Sequence, residues 1–372
     1  MKLTTGNLTA GMLGALMILT ACASIAPPLP PSLELPKPPS DLRAVRKGDR
    51  VTLTWTIPSS TTDRQTIHTI GPTRICRGVE AQLAQCDAPV AEILPAAGSM
   101  AAASSSKQKP TATYSDVIPT ALEAGIPADQ ITYAVEVLNA EGRSAGLSNE
   151  VHVPAARTLP PPEKFQAQVT RDGILISWAM PPPLSQAQVT YQLRVYRRQD
   201  GSQTGAKLAE VPYLSGAPDA RHTSLDQSFL DQSFAWEQTY FYRLAVVTVV
   251  AEMGKPDVTV EGDDSAEVKV FAHDIFPPAV PASLQAVFSG PGQRAFIDLI
   301  WAPVTDVDLD GYNVYRHEAG AAAVKVNGEL LKTPAYRDGE IMSGKKYFYS
   351  VSAVDVRGNE SERSEEASES VP

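Results

Sequence analysis

The sequence has little tryptophan, cysteine, histidine or positive charge, and each shortage narrows what the chain can do. Among 372 residues there are four tryptophans, three cysteines and five histidines, and 32 basic residues face 42 acidic ones, giving a net charge of −10. A negative balance repels phosphate backbones, which argues against nucleic acid as a partner. No two histidines stand at metal-ligand spacing, and no hydrolase, metalloprotease, dinucleotide-binding or P-loop motif occurs. The sequence therefore predicts a protein that is not an enzyme and has no cofactor.

Long hydrophobic runs are also scarce, and the one at the N-terminus is an export signal rather than a membrane span. Residues 1–21 contain one cation, Lys2, and an apolar stretch from Leu8 to Leu19, the composition of a secretion signal. The stretch ends in Leu-Thr-Ala-Cys at residues 19–22, which resembles the lipobox of bacterial lipoproteins. That resemblance implies cleavage before Cys22 and acylation of its thiol, so that the lipid anchor makes the membrane a partner. An ordinary signal peptide followed by a chance cysteine is the alternative.

The residues that follow Cys22 predict where the protein is held and how. Ala23 replaces the aspartate that retains many Gram-negative lipoproteins in the inner membrane, so the resemblance implies a cell-envelope protein, in the outer rather than the inner membrane. Residues 27–39 read PPLPPSLELPKPP, a composition that favours extended polyproline II. We therefore expect residues 22–39 to form a lipidated, proline-rich tether.

Beyond the tether, one pattern occurs three times. The three tryptophans Trp55, Trp178 and Trp301 are equally spaced, and each ends a short strand of alternating apolar and polar residues. A proline cluster precedes each tryptophan. An Ile-Cys-Arg or Val-Tyr-Arg strand and then a tyrosine-led strand, at Tyr133, Tyr240 and Tyr347, follow it. Three recurrences in one order indicate three copies of one all-β domain.

Together these residues resemble the fibronectin type III family, from about Pro38 to the C-terminus. The resemblance implies tandem immunoglobulin-like β-sandwiches at residues 40–154, 159–272 and 277–372. In such sandwiches the three tryptophans would fill the space between the sheets. Tyr133, Tyr240 and Tyr347 would be corner tyrosines, with rings in the core and hydroxyls bonded to nearby backbone.

Two pairings or sites of lower specificity remain. With Cys22 lipidated, Cys76 and Cys86 form an even pair in an oxidising compartment, which predicts a disulfide, a free thiol being the alternative. Residues 306–311 imitate the start of an EF-hand loop, making Asp306, Asp308 and Asp310 weak calcium candidates. The twelfth position of that loop, where an EF-hand has glutamate, is His317, and a strand follows instead of a helix.

The sequence names a class of function but no partner. We expect a non-catalytic envelope lipoprotein that displays a rod of sandwiches for protein interaction, adhesion or scaffolding. The alternative is a carbohydrate-binding subunit of a surface glycan system, with an unknown envelope protein or glycan as partner. The tandem repeat LDQSFLDQSF at residues 225–234 and the one tryptophan besides the three predicted core tryptophans make Phe229, Phe234 and Trp236 the possible ligand contacts, although packing onto their own domain is the simpler role.

Overall fold

The computed structural model describes residues 33–95, 110–184, 188–213, 226–251, 254, 256–290, 292 and 294–372. The signal peptide, Cys22 and residues 22–32 of the predicted tether lie outside the described residues. Within the described ranges, no helix has the length and apolar composition to cross a bilayer.

Strands account for nearly all regular structure in the described residues, and they group into three successive β-sandwiches. Sandwich 1 contains β1 (Arg43–Lys47), β2 (Arg50–Thr56), β3 (Ile70–Gly78), β4 (Ala91–Ile93), β5 (Thr111–Val117), the short helix α1 (Thr120–Glu123), β6 (Gln130–Asn139), β7 (Ser144–Leu147) and β8 (Val151–Pro154).

Sandwich 2 contains β9 (Glu163–Thr170), β10 (Gly173–Ala179), β11 (Val189–Gln199), β12 (Ala206–Pro212), β13 (Asp226–Asp231), β14 (Thr239–Val250), β15 (Val258–Asp264) and β16 (Val268–Phe271). Sandwich 3 contains β17 (Ala282–Phe288), β18 (Ile297–Ala302), β19 (Leu309–Glu318), β20 (Val324–Lys325), β21 (Ala335–Asp338), β22 (Lys346–Asp355) and β23 (Ala367–Ser370). The all-β class predicted from the sequence is confirmed.

Each sandwich pairs a smaller sheet with a larger one. In sandwich 3 the smaller sheet has the order β17-β18-β21 and the larger one β20-β19-β22-β23. Sandwiches 1 and 2 repeat this order as β1-β2-β5 with β4-β3-β6-β7, and as β13-β10-β9 with β12-β11-β14-β15. In sandwiches 1 and 2, two strands share the last position of the larger sheet. β8 pairs with β6 as β7 does, and β16 pairs with β14 as β15 does. All the strand pairings are antiparallel.

Alternation along the second strand of each sandwich builds the core. In β2 the side chains of Val51, Leu53 and Trp55 are buried while their neighbours are partly exposed, the period of two expected for a strand with one face inward. Trp178 and Trp301 occupy the same place in the other cores and are also buried. The predicted role of the three tryptophans as core residues is confirmed.

The proline-rich segment does not stand clear of sandwich 1 over its described part. Asn139 donates its side-chain amide to the carbonyl of Leu33 at 2.8 Å. Further along, the backbone N–H of Lys37 donates to Ser60 O at 3.0 Å, and Thr62 N donates to Leu35 O at 3.0 Å. Residues 33–39 therefore lie against sandwich 1.

Candidate functional site

An arginine, an aspartate and a tyrosine form the same buried cluster in all three sandwiches, and each cluster joins the two sheets. In sandwich 2, Arg197 on β11 donates to Asp231 on β13 at 2.6 Å, and the Tyr242 hydroxyl on β14 donates to the same carboxylate oxygen at 2.7 Å. The equivalents, with similar distances, are Arg77, Asp116 and Tyr133 in sandwich 1, and Arg316, Asp338 and Tyr349 in sandwich 3.

These clusters correct one prediction about the tyrosines. The hydroxyls of Tyr240 and Tyr347 accept backbone N–H groups at 3.0 and 3.1 Å, as predicted for corner tyrosines. The Tyr133 hydroxyl instead donates to the carboxylate of Asp116 at 2.6 Å, so its predicted bond to backbone is wrong. The reason is register. Tyr133 lies opposite Arg77 just as Tyr242 lies opposite Arg197, so the corner position of sandwich 1, two residues earlier, holds Ile131.

In the cluster of sandwich 2, burial and hydrogen bonding shift the pKa of the aspartate in opposite directions. Burial alone would raise the pKa of Asp231, but hydrogen bonds from Tyr242, Ser233 and Arg197 outweigh it and lower that pKa. Burial, followed by the hydrogen bond to the carboxylate, raises the pKa of Tyr242 far above its ordinary range. The carboxylate is therefore charged and the phenol neutral at neutral pH. This protonation suits a structural cluster, because no nucleophile or accessible proton carrier results.

The predicted contact residues Phe229, Phe234 and Trp236 lie against their own chain. All three are partly buried against the core of sandwich 2, and Phe234 meets Trp236 edge to face at 4.8 Å between ring centroids. Trp236 also faces Phe276, in the segment leading to sandwich 3, at 6.2 Å. The tryptophan outside the three cores thus forms part of a domain junction.

Arg357 is the centre of this junction between sandwiches 2 and 3. Its guanidinium lies 3.1 Å from Asp274 and 3.9 Å from Asp308, measured between nitrogen and carboxylate oxygen. It also approaches Glu237 of sandwich 2 at 3.8 Å and the Trp236 ring centroid at 5.9 Å. One side chain of sandwich 3 therefore contacts the preceding sandwich, the linker and its own loop.

The three aspartates predicted as weak calcium ligands have other partners at this junction. Asp306 accepts the backbone N–H of Ala279 at 2.5 Å, and Asp310 pairs with Lys332 at 2.5 Å. Asp308 lies beside Arg357 instead, so the three carboxylates have three different partners and are not grouped as metal ligands.

Asp308 instead joins two acids that the sequence reading did not single out. Within the described residues, Asp274, Asp308 and Asp355 form a group whose ligand oxygens all lie within 4.8 Å of one another, and such a group could hold a metal ion. The Arg357 cation already lies beside two of the three, and Asn359 donates to Asp355 at 2.8 Å.

Sandwiches 1 and 2 also meet through buried contacts. Ala156 of the linker packs with Val250 and Val260 of sandwich 2 and with Ala128 of sandwich 1. Gly48, in the turn between β1 and β2, donates its N–H to Glu261 O at 2.8 Å. Its φ of +60° and the 2.5 Å between an added Cβ and the Asp263 carboxylate explain why glycine occupies this turn.

Ion pairs reinforce this first junction. Lys47 reaches Asp264 at 2.5 Å and Glu261 at 3.3 Å across the junction. Glu261 also accepts from Arg194 at 2.8 Å and from the Tyr196 hydroxyl at 2.7 Å. Burial would raise the pKa of Glu261, but these hydrogen bonds and Lys47 lower it, so the carboxylate is charged.

The predicted disulfide between Cys76 and Cys86 is confirmed, with the Cα atoms 5.4 Å apart. Cys76 lies on β3 and is buried, whereas Cys86 is partly exposed in the segment between β3 and β4. We name this segment, residues 79–90, the strap. The disulfide holds the strap to the outer face of the larger sheet.

The strand order of the paired sheets decides the fold. Strands one, two and five form one sheet, and strands four, three, six and seven form the other, around one buried tryptophan. The fold is fibronectin type III-like. Two solved structures are similar to parts or most of this chain. One is the crystal structure of the FN1–FN3 domains of chicken CNTN1, 16% identical over 91% of this chain and 99% of that one, with a TM-score of 0.25. Another is an Fn3-like protein from Clostridium thermocellum, 31% identical over 26% of this chain and 94% of that one, with a TM-score of 0.22.

Among curated proteins, similarity is confined to short stretches of amylopullulanases. The chain is 37% identical over 92 residues to that of Thermoanaerobacterium saccharolyticum, covering 24% of this chain and 7% of the relative. For Thermoanaerobacter thermohydrosulfuricus the values are 30% over 152 residues, 40% and 10%. The fibronectin type III-like chain thus spans no more than a tenth of these relatives' length. No protein-family model matches it.

The sequence reading missed the residues that join sheets and sandwiches, although part of the signal was present. The arginine of each cluster ends the Ile-Cys-Arg or Val-Tyr-Arg motif, and an aspartate precedes the turn before each tyrosine-led strand. These repeated acids and bases indicate a pairing. Lys47 and Arg357 carry no comparable signal, because their partners lie in segments whose sequences do not repeat from one sandwich to the next.

Proposed function

We propose that this chain is a non-catalytic lipoprotein of the bacterial cell envelope, in which fibronectin type III-like sandwiches form a stiff unit that presents binding surfaces to another envelope protein. The observation that carries the proposal is the pair of bonded junctions. Linkers that served only as flexible connections would leave Lys47 and Arg357 in solvent, whereas both pair with acids across a boundary between sandwiches. Fixed junctions hold surfaces at set separations, which a scaffold requires.

The site chemistry supports a role without catalysis. The acids and tyrosines of the Arg–Asp–Tyr clusters are buried and paired with one another, so none is aimed at a place where a substrate could bind. Catalytic groups need a pKa near the working pH and access to substrate.

The lipid anchor and the outer-membrane location are proposed from the lipobox alone. Residues 33–39 lie along sandwich 1, so they add no length to the predicted tether. The anchor would therefore hold sandwich 1 closer to the lipid surface than an extended tether of residues 22–39 would.

Detergent-phase partition of the protein expressed in a Gram-negative host tests the anchor. We expect the wild-type chain in the detergent phase and Cys22→Ala in the aqueous phase, with Cys76→Ser/Cys86→Ser partitioning like wild type because those cysteines carry no lipid. Wild-type protein in the aqueous phase would remove the anchor from the proposal.

A second function, glycan binding, is favoured by the resemblance to amylopullulanase segments. Pullulan and amylose are the probes that this resemblance suggests. Affinity electrophoresis in gels containing either polymer would show retardation if the function holds. Trp236→Ala would also disturb the junction between sandwiches 2 and 3. Phe229→Ala is therefore the better variant to compare with the wild type, because Phe229 is not among the residues described above as contacting Arg357. Unretarded migration of wild type would leave the scaffold role.

A further inference from the structure

The larger sheet of each sandwich has an outer face, and this face differs among the three copies at matched positions. Strand register makes Cys76, Tyr196 and Tyr315 equivalent residues. Each lies one residue before the arginine of the Arg–Asp–Tyr cluster in its own sandwich. Two residues further along, the matched set is Gly78, Arg198 and His317. The neighbouring strand contributes Thr132, Phe241 and Phe348 opposite that second position.

In sandwiches 2 and 3 the described part of this face carries long side chains of its own strands. The Arg198 guanidinium lies 4.1 Å from the Phe241 ring centroid, and Arg243 lies 3.9 Å from that of Tyr196. In sandwich 3, His317 stacks on Phe348 at 5.1 Å. These rings and cations are partly exposed.

In sandwich 1 the strap takes their place. The matched side chains there are small, and Thr132, Ala134 and Cys76 are buried. A Cβ on Gly78 would lie 2.6 Å from Cδ2 of Leu83 in the strap, so the absence of a side chain at residue 78 leaves room for Leu83, and a larger residue would make Leu83 shift. The corresponding turns of the other sandwiches, residues 200–205 and 319–323, are shorter.

Besides the disulfide, a few hydrogen bonds among the described residues hold the strap, and at its C-terminal end Val90 donates its N–H to Ile75 O at 2.8 Å. Thr132 donates its hydroxyl to Glu80 O at 2.6 Å, and Leu83 donates its N–H to Glu150 at 2.6 Å. Glu150 is matched by Glu267 and Glu366, which bind Arg198 and His317 on their own faces. The core of sandwich 1 contains neither cysteine, and of the strap only Val90 packs against it.

We propose that the strap is a redox-controlled cover: reduction of Cys76–Cys86 by a dithiol releases residues 79–89 from the outer face of sandwich 1, while Val90 stays on the core and the sandwich stays folded. A thiolate of the dithiol attacks the sulfur of Cys86, the partly exposed partner, and Cys76 leaves as a thiolate that takes up a proton. The second thiol of the dithiol then displaces Cys86 from the mixed disulfide. The protein gains two thiols and the dithiol becomes a disulfide.

Hydrogen exchange of the full chain before and after native-state dithiothreitol treatment tests this proposal. We expect exchange at the Leu83 amide to rise at least tenfold and the Cys76 thiol to become alkylatable within a few-fold of Cys86. The amides of β2, the strand that holds Trp55, should stay protected. Unchanged Leu83 exchange would overturn the proposal, and so would loss of protection in β2, because the disulfide would then hold the whole sandwich.

A variant of Gly78 tests the fit of the strap without reducing the disulfide. Gly78→Arg introduces the residue found at the matched position of sandwich 2, and it should speed Leu83 exchange in oxidised protein with the disulfide intact. Gly205→Arg, in the corresponding turn of sandwich 2, has 3.6 Å of space to the nearest atom and should leave Leu83 exchange as in wild type. Equal exchange in the two variants would also overturn the proposal.

Discussion

At the residue scale, the buried aspartates of the three clusters join strands of different sheets. Each accepts hydrogen bonds from an arginine of one strand and a tyrosine of another, so it joins the two sheets of its sandwich. Removing one partner of a buried pair leaves the other charge uncompensated. The sequence could have indicated these acids by their repetition. Their burial could not be predicted, because it depends on which face of a short strand turns inward.

Asp231→Asn should destabilise sandwich 2 by about 3 kcal/mol, because Arg197 and the Tyr242 hydroxyl lose a charged acceptor in a buried place. Asp298→Asn is the control: Asp298 pairs with Arg337 at 2.7 Å on the exposed face of sandwich 3, where the loss should stay below about 1 kcal/mol. Urea unfolding resolved by sandwich measures both. Equal losses would contradict a buried role for Asp231.

Acid should weaken sandwich 2 through the same residue. The pKa of Asp231 is lower in the folded state than its ordinary value of 3.8, so its contribution to stability is present above the unfolded pKa and is lost as pH falls through the folded one. Between pH 6 and pH 2 the wild-type melting temperature should therefore fall more than that of Asp231→Asn. Parallel curves for the two proteins would be inconsistent with the lowered pKa.

At the element scale, the strand pattern was readable from the sequence and the register was not. Alternation located β2, β10 and β18, and all three tryptophans are core residues. Matching Tyr133 with Tyr240 and Tyr347 is wrong by two residues. The corner of sandwich 1 holds Ile131, so the tyrosine that marks the corner in the other copies is missing there. Loop contacts such as those of Arg357 lay beyond any periodic signal.

The proline-rich segment illustrates the same limit. Composition predicts an extended chain for residues 27–39, and it says nothing about what an extended chain lies against. The hydrogen bonds of residues 33–39 depend on the loop at residues 60–62 and on Asn139. No sequence motif predicts either partner.

We expect the amides of Lys37 and Thr62 to be protected from hydrogen exchange, because they donate to Ser60 O and Leu35 O. Asn139→Ala, which removes the donor to Leu33 O, should increase exchange at both amides several-fold and leave β2 unaffected. Exchange mass spectrometry with short overlapping peptides gives the rates. Free exchange at Lys37 in the wild-type protein would restore the whole of residues 22–39 as tether.

At the scale of the whole molecule, the two junctions use different chemistry for one purpose. Ala156, Val250 and Val260 supply an apolar centre between sandwiches 1 and 2, with Lys47 as the ion-pair contact. Between sandwiches 2 and 3 the centre is Arg357, with Trp236 and Phe276 beside it. If both junctions are fixed, the binding surfaces of the sandwiches keep constant separations.

Electron–electron distance measurements on spin-labelled protein test this most directly. Labels at exposed Thr113 and Gln203 report the first junction, and labels at Gln203 and Glu362 report the second. Fixed junctions predict one narrow distance for each pair, with Lys47→Ala broadening only the first and Arg357→Ala only the second. Broad distributions in the unsubstituted protein would contradict a stiff unit and leave three independently moving sandwiches.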